Sequence, residues 1–148
     1  MMDKSIRKIV DGKTYIESLR NRDLTVYLFG EKVNEPVDHD MIRPSINAIA
    51  KTYELAVSDP ELASVISPFT GERVSRFLHV CTSSRDLVLQ NKMQRKLGQL
   101  TGTCFQRCVG MDAFNSLYSV TFEIDEKNGT DYHNKLIKFL TSMHKYNF

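Results

Sequence analysis

The apolar positions of this chain recur mostly at three and four residues, the period of a helix with one buried face. The clearest run is Leu89, Met93, Leu97, Leu100, Cys104 and Cys108, with Ser83 and Ser84 as candidate N-caps ahead of it. It predicts the longest helix of the chain, with two cysteines continuing the apolar stripe. Ile46, Ile49, Ala50, Tyr53 and Val57 predict another helix, opened by Pro44, whose missing N–H is not needed in a first turn, and ending near Ser58-Asp59-Pro60. A third covers Met111 to Glu126, with Ala113, Phe114, Leu117 and Tyr118 inward and Asn128-Gly129 as its stop. Thr130 then caps a last helix carrying Tyr132, Leu136, Phe139, Leu140 and Met143.

Elsewhere the period breaks. Thr14-Tyr15-Ile16-Glu17 fits a capping box, in which the Thr14 hydroxyl and the Glu17 carboxylate satisfy free N–H groups, and predicts a short helix to about Arg20. Val26 to Phe29 reads as a strand, Gly30-Glu31 as a type II′ turn and Lys32-Val33 as the return. Glu61 to Phe77 is irregular, with Pro68 and Gly71 inside it, and predicts a loop with at most a short helical turn. No internal repeat or low-complexity tract occurs. The expected fold is mainly α: one helical domain over residues 1–148 with one small β-hairpin.

A chain of 148 residues removes about 70% of its unfolded surface from water, enough for a core without staples. Its 41% hydrophobic and 26% charged content is that of a soluble globular protein, and a net charge of +2 is too small to argue for nucleic acid or an anionic membrane. Cys81, Cys104 and Cys108 are an odd and sparse set, which argues against a secreted disulfide framework and makes the cytoplasm the expected compartment. Met1 to Lys8 carries positive charge with no apolar stretch behind it, so no secretory signal is expected. The longest aliphatic or aromatic run, Val26 to Phe29, is too short to span a bilayer. Asn128-Gly129-Thr130 matches a glycosylation acceptor but reads as a turn.

The chemistry concentrates in Leu100-Thr101-Gly102-Thr103-Cys104-Phe105-Gln106-Arg107-Cys108. Residues four apart on a helix are neighbours, so two thiolates there suit adjacent metal positions. A four-iron cluster takes four ligands, and nothing else in the sequence fills the remaining two well. The alternative is a pair of buried core cysteines. Val109, Gly110 and Met111 offer no third cysteine, which excludes the C-x3-C-x2-C radical enzymes. Arg95, Gln99, Gly102 and Gln106 form a second stripe, suited to an acyl or phosphate group or else simply solvated. At about 100° per residue that stripe lies opposite the cysteines on a continuous helix. Either the helix bends near Gly102, or one stripe meets the site through a neighbouring element. Gly98 and Gly102 suit close approach of another helix. No G-x-G-x-x-G or P-loop occurs. His39, His79, His133 and His144 lack ligand spacing and read as surface or boundary residues, and Glu123, Asp125 and Glu126 as solvent contacts. No Ser-His-Asp arrangement is present.

Tyr15-Ile16-Glu17-Ser18-Leu19, Val26-Tyr27-Leu28-Phe29-Gly30-Glu31-Lys32, Met41-Ile42-Arg43-Pro44-Ser45-Ile46-Asn47 and Met93-Gln94-Arg95 through Asp112 together resemble the 4-hydroxybutyryl-CoA dehydratase/vinylacetyl-CoA delta-isomerase family. The similarity spans nearly the whole chain. The broader flavin-dependent 4-hydroxyphenylacetate 3-monooxygenases share the early segments and the Gly71-Glu72-Arg73-Val74 region but not the cysteines, so Cys104-Phe105-Gln106-Arg107-Cys108 selects the dehydratase branch. The resemblance implies the N-terminal helical domain of an acyl-CoA-dehydrogenase-like fold, followed in the family by a β-rich flavin domain and a C-terminal helical domain, in a homotetramer. It implies FAD and a 4Fe-4S cluster, with Cys104 and Cys108 as two cluster ligands and a His and a third Cys from later sequence. Arg95 and Gln106 match positions lining the substrate and cluster region.

The implied reaction removes water from 4-hydroxybutyryl-CoA to give crotonyl-CoA, or isomerises vinylacetyl-CoA to the same product. One-electron oxidation by FAD gives a ketyl-type radical with a more acidic adjacent C–H, while the cluster acts as a Lewis acid on the leaving hydroxyl. The implied partners are a CoA thioester and the rest of the flavoenzyme, in the same chain or separately encoded. The chain alone is expected to fold without turning over. Two other functions stay open: a flavin monooxygenase relative acting on a phenol, and a non-catalytic helical assembly module.

Overall fold

The computed structural model describes residues 8–20 and 22–148. Residues 1–7 of the domain expected over 1–148, and Asn21 just past the first predicted helix, lie outside them. In chain order the elements are α1 (Gly12–Arg20), β1 (Val26–Leu28), β2 (Glu31–Val33), α2 (Arg43–Ser58), α3 (Pro60–Ala63), β3 (Ser64–Ile66), β4 (Arg73–Ser75), a 3₁₀ turn (Arg76–Leu78), α4 (Ser84–Thr101), α5 (Cys108–Asn128) and α6 (Tyr132–Tyr146). The fold is mainly α, as the periodicity predicts. No helix among the described residues is long and apolar enough to cross a membrane.

The first helix, Gly12–Arg20, is capped by Asp11, three residues ahead of the predicted Thr14 cap. The Asp11 carboxylate accepts the Thr14 N–H at 2.7 Å, and the Thr14 hydroxyl accepts the Asp11 N–H at 3.0 Å. Aspartate caps at least as well as threonine, so the box closes one turn earlier. The earlier start also seats Gly12 against α2, where a Cβ would lie 2.9 Å from the Ala50 carbonyl oxygen. Glu17 instead approaches Arg20 at 3.4 Å.

In the hairpin, Leu28 stands opposite Glu31, so the turn residues are Phe29 and Gly30 rather than Gly30 and Glu31. Both have positive φ, 53° and 86°, which makes the turn type I′ rather than II′. A second antiparallel ladder, β3 with β4, places Val65 opposite Val74 inside the stretch predicted as a loop. Strands of three residues are too short to show a period of two.

Leu55, Ala63, Phe77, Met93, Leu97, Phe105 and Met111 form the core cluster, drawn from α2, α3, the 3₁₀ turn, α4, the loop after it and α5. The α4 stripe is half right: Met93 and Leu97 are wholly buried, whereas Leu100 is 52% exposed. On α5 only Met111 is buried, and the predicted inner residues Ala113 and Leu117 are exposed.

The last helix is capped from outside itself. The Asp125 carboxylate accepts the N–H groups of Tyr132 (2.9 Å) and His133 (2.7 Å), while the Thr130 hydroxyl donates to the same carboxylate. Thr130 is therefore not the cap, and Asp125 is not a mere solvent contact. Desolvation pushes its carboxyl up, but these hydrogen bonds outweigh it and hold the group below its ordinary range.

His144 corrects the surface or boundary expectation most clearly. It is fully buried, with Nδ1 2.7 Å from the Ser67 hydroxyl and Nε2 2.7 Å from the Leu78 carbonyl oxygen. Ser67 already accepts the N–H groups of Phe69 and Thr70, so its hydroxyl proton goes to Nδ1, and Nε2 carries the ring proton. His79 is buried as well, with Nε2 3.2 Å from Asp86. Next to His144, Asn147 ties the two ends of the described chain to β4: it accepts the Ser75 N–H at 2.7 Å and donates to the Ile9 carbonyl at 2.8 Å.

Candidate functional site

The helix does not carry both cysteines. It stops at Gly102, whose left-handed backbone (φ 61°) turns its N–H back to the Gly98 carbonyl. Residues 102–107 form a loop, and Cys108 opens α5. The clash between the two polar and apolar stripes is thus resolved by termination at Gly102, not by a bend in one helix. The Thr101 hydroxyl stitches the exit, accepting the Thr103 N–H at 3.4 Å and lying 2.9 Å from the Thr103 carbonyl oxygen.

Loop residues alternate between anchors and presented groups. Phe105 is buried and packs tilted against Phe77, with centroids 5.7 Å apart. The Arg107 guanidinium lies over the Tyr53 and Phe77 rings at 4.2 and 4.9 Å. Between and before these anchors, Cys104 and Gln106 are exposed. Cys108 is half-buried, packed against the core cluster.

Gln106 has φ 59°, a left-handed backbone rare for a residue with a side chain. That turn places its N–H 3.4 Å from Cys104 Sγ, an N–H to sulfur hydrogen bond. Both thiols are outside any disulfide. One free thiol thus lies in the loop, receiving a main-chain N–H, and the other lies at the first residue of α5. Among the described residues no group of three or more His, Cys, Asp or Glu is placed to hold a metal.

The other predicted residues are only partly gathered. Gln106 sits beside Cys104, but Arg95 is exposed on α4 and makes no hydrogen bond or ion pair among the described residues. Seven residues separate Arg95 from Gly102, about 10 Å of helix rise. An open concavity of about 610 Å³ lies elsewhere, under the hairpin, lined by Phe29, Lys32, Asp38 and Met41 among others. Its lining includes none of the loop residues, so we place the site by its chemistry rather than by the cavity.

Cys81 belongs to a different environment. Its thiol donates to Gln90 Oε1 at 2.9 Å, and burial pushes its pKa up, with Asp86 adding to the effect. Sequence reasoning missed Arg107, although it is the only charged residue between Lys96 and Asp112. That isolation in an apolar stretch was the available signal.

The chain belongs to the family described as 4-hydroxyphenylacetate 3-hydroxylase N terminal, whose model matches residues 11–148. It is 51% identical over 135 residues to the 4-hydroxybutyryl-CoA dehydratase/vinylacetyl-CoA-Delta-isomerase of Clostridium aminobutyricum, covering 89% of this chain and 27% of that protein. It is 27% identical over 90 residues to the 4-hydroxyphenylacetate 3-monooxygenase oxygenase component of Geobacillus sp. (strain PA-9), covering 61% of this chain and 18% of that protein. Among solved structures, the oxygen-tolerant archaeal 4-hydroxybutyryl-CoA dehydratase from N. maritimus superposes with a TM-score of 0.89 at 66% identity, over 97% of this chain and 28% of that one. The chain therefore spans just over a quarter of the length of these dehydratases (27% and 28%).

Proposed function

We propose that this chain is the N-terminal helical domain, over residues 1–148, of a 4-hydroxybutyryl-CoA dehydratase/vinylacetyl-CoA delta-isomerase. That enzyme is a cytoplasmic homotetramer that depends on FAD and a 4Fe-4S cluster and forms crotonyl-CoA by a radical route. The observation that supports this best is the 66% identity to the archaeal dehydratase over 97% of the chain. In this reading Cys104 and Cys108 hold two cluster positions, and the other two ligands come from outside this chain.

When bound, the cluster supplies Lewis acidity at the leaving hydroxyl and FAD supplies a one-electron acceptor. The net change to crotonyl-CoA is loss of one α-hydrogen, one β-hydrogen and the 4-hydroxyl, with one proton returned to C4, so that one water leaves and the new C=C bond joins Cα and Cβ. This chain's part is to present and orient. The Gln106 amide, exposed beside Cys104, offers a hydrogen bond to a substrate oxygen. Arg95, farther along α4, suits a distal acyl or phosphate oxygen of the long thioester better than the reacting carbons.

The test is anaerobic purification of the chain with its downstream neighbour, then analysis of iron, sulfide, flavin and crotonyl-CoA formation. Iron with FAD and product is expected. FAD without iron, with aerobic hydroxylation of a phenol, would replace this reading by the monooxygenase one. The 148-residue chain mixed alone with flavin, iron, sulfide and substrate is expected to give no crotonyl-CoA, and product there would contradict its dependence on other sequence. The exposure of Val109, Leu117, Val120 and Phe122 on α5 favours a docking role in addition. Co-purification with a flavin-bearing chain supports that role, and a lone monomer in sedimentation counts against it.

A further inference from the structure

Arg107 stands between the two cysteines in sequence. Its Nη1 donates to the Thr52 hydroxyl and its Nη2 to the Phe148 main-chain oxygen, each at 2.9 Å. With Tyr53 below and Phe77 beside it, the guanidinium is tied to α2, the 3₁₀ turn and the end of α6. It forms no ion pair with an Asp or Glu among the described residues. Arg20, by contrast, is held by Asp38, Glu17 and Glu35.

A half-buried arginine with no Asp or Glu partner among the described residues is a costly way to fill this position, since apolar side chains of similar volume often do as well or better. What an apolar residue cannot do is bond in several fixed directions at once. The next residue back explains the need. Gln106 holds a left-handed backbone, which is unfavourable for a residue with a Cβ and persists only where its surroundings over-determine it. Phe105 and Arg107, the residues on either side, are the two inward anchors. Between these two anchors Gln106 closes the chain in the left-handed conformation, and the same turn brings its N–H to Cys104 Sγ.

We propose that Arg107 is the positioning residue of the thiol loop: its fork to Thr52 and Phe148 locks the turn at Gln106 and thereby sets how Cys104 and Cys108 are presented. Its purpose rests on the reading of those cysteines as ligands; its mechanical action on the loop does not. Lysine keeps the charge but loses the fork, and methionine keeps the stem but loses both.

The test uses Arg107→Lys, Arg107→Met and Thr52→Val in the 148-residue chain, read by amide hydrogen exchange and by the alkylation rate of Cys108. Each Arg107 variant should speed exchange at residues 104–108 and Cys108 alkylation by at least tenfold relative to any change across α2 and α4, with Thr52→Val intermediate. Loop rates within twofold of wild type would overturn the proposal, as would a rise matched uniformly through α2 and α4. Gln106→Asn, which tolerates the left-handed backbone better, should restore part of the protection to Arg107→Met, and no restoration would count against the coupling. Iron is measured separately in the assembled protein. A wild type that binds none, with the loop still freed by Arg107→Met, overturns the ligand reading while upholding the positioning one.

Discussion

The two ends of α4 are finished by opposite means. At the start, polar groups are closely engaged: Ser83 accepts the Asp86 N–H, and the Asp86 carboxylate takes the Thr82 N–H and the Ser83 hydroxyl while facing His79 and, farther off, Arg76. Arg76 in turn donates to the carbonyls of Leu62, Glu61 and Ser64. At the far end a glycine stops the helix, and the two thiols that follow bond to little beyond one N–H. At the start Arg76 and His79 are buried and the side chains are mostly engaged with one another, although Arg76 Nη1 and the His79 ring nitrogens lack a hydrogen-bond partner among the described residues. Cys104 and Gln106, by contrast, are exposed beside Phe105 and Arg107, which pack inward. The contrast separates a structural cluster from a site better than residue type does, since each end contains a cysteine or two.

The largest effect should come from breaking the engaged end. Arg76→Ala removes three charge-assisted bonds and leaves buried carbonyls short of donors, so we expect a loss of about 3 kcal/mol in urea unfolding. Asp86→Asn is next. Desolvation pushes the Asp86 carboxyl up, but Ser83, Thr82 and His79 together pull it down to about 2. Its contribution is then about 2 kcal/mol, present above pH 4 and lost as pH falls from about 4 towards 2, because the unfolded chain takes up the proton first. The variant should flatten the stability profile across that interval.

His144 adds a milder acid sensitivity near the same end. Burial pulls its pKa below the ordinary value, against the opposing bond to Leu78. The unfolded chain therefore binds the extra proton first, so stability is complete above about pH 6.5 and falls as pH drops below it. A urea midpoint that stays constant from pH 7.5 to 5.5 would contradict this. At the other end, Gly102→Ala should cost only about 1 kcal/mol, from the left-handed backbone it must adopt. The smallest effect belongs to Cys104→Ser, within about 0.5 kcal/mol of wild type in stability, since that side chain is exposed in a loop.

The helices were legible because their apolar periods are long: α2 begins and ends as Pro44 and Asp59 suggest, and Ser83 caps α4 as expected. The thiol loop was misread for the same reason. Leu97, Leu100, Cys104 and Cys108 keep helical spacing by coincidence, because an inward–outward loop and a new helix happen to follow the stop. Gly102 was visible, but a glycine inside a pattern does not announce a left-handed backbone. The buried partners were out of reach altogether. Ser67 and His144 are 77 residues apart and Arg107 and Thr52 are 55 apart, and no local pattern links them. Resemblance pointed to Cys104, Cys108, Arg95 and Gln106; three of these fall within one five-residue stretch of sequence, while Arg95 lies about two turns back along α4.

The most direct test of the account is the iron-to-chain ratio after anaerobic assembly with the downstream sequence, in wild type and in the Cys104→Ser, Cys108→Ser double variant. About four irons in wild type and loss of the cluster absorption in the variant are predicted; equal iron and equal absorption in both would remove Cys104 and Cys108 from the site.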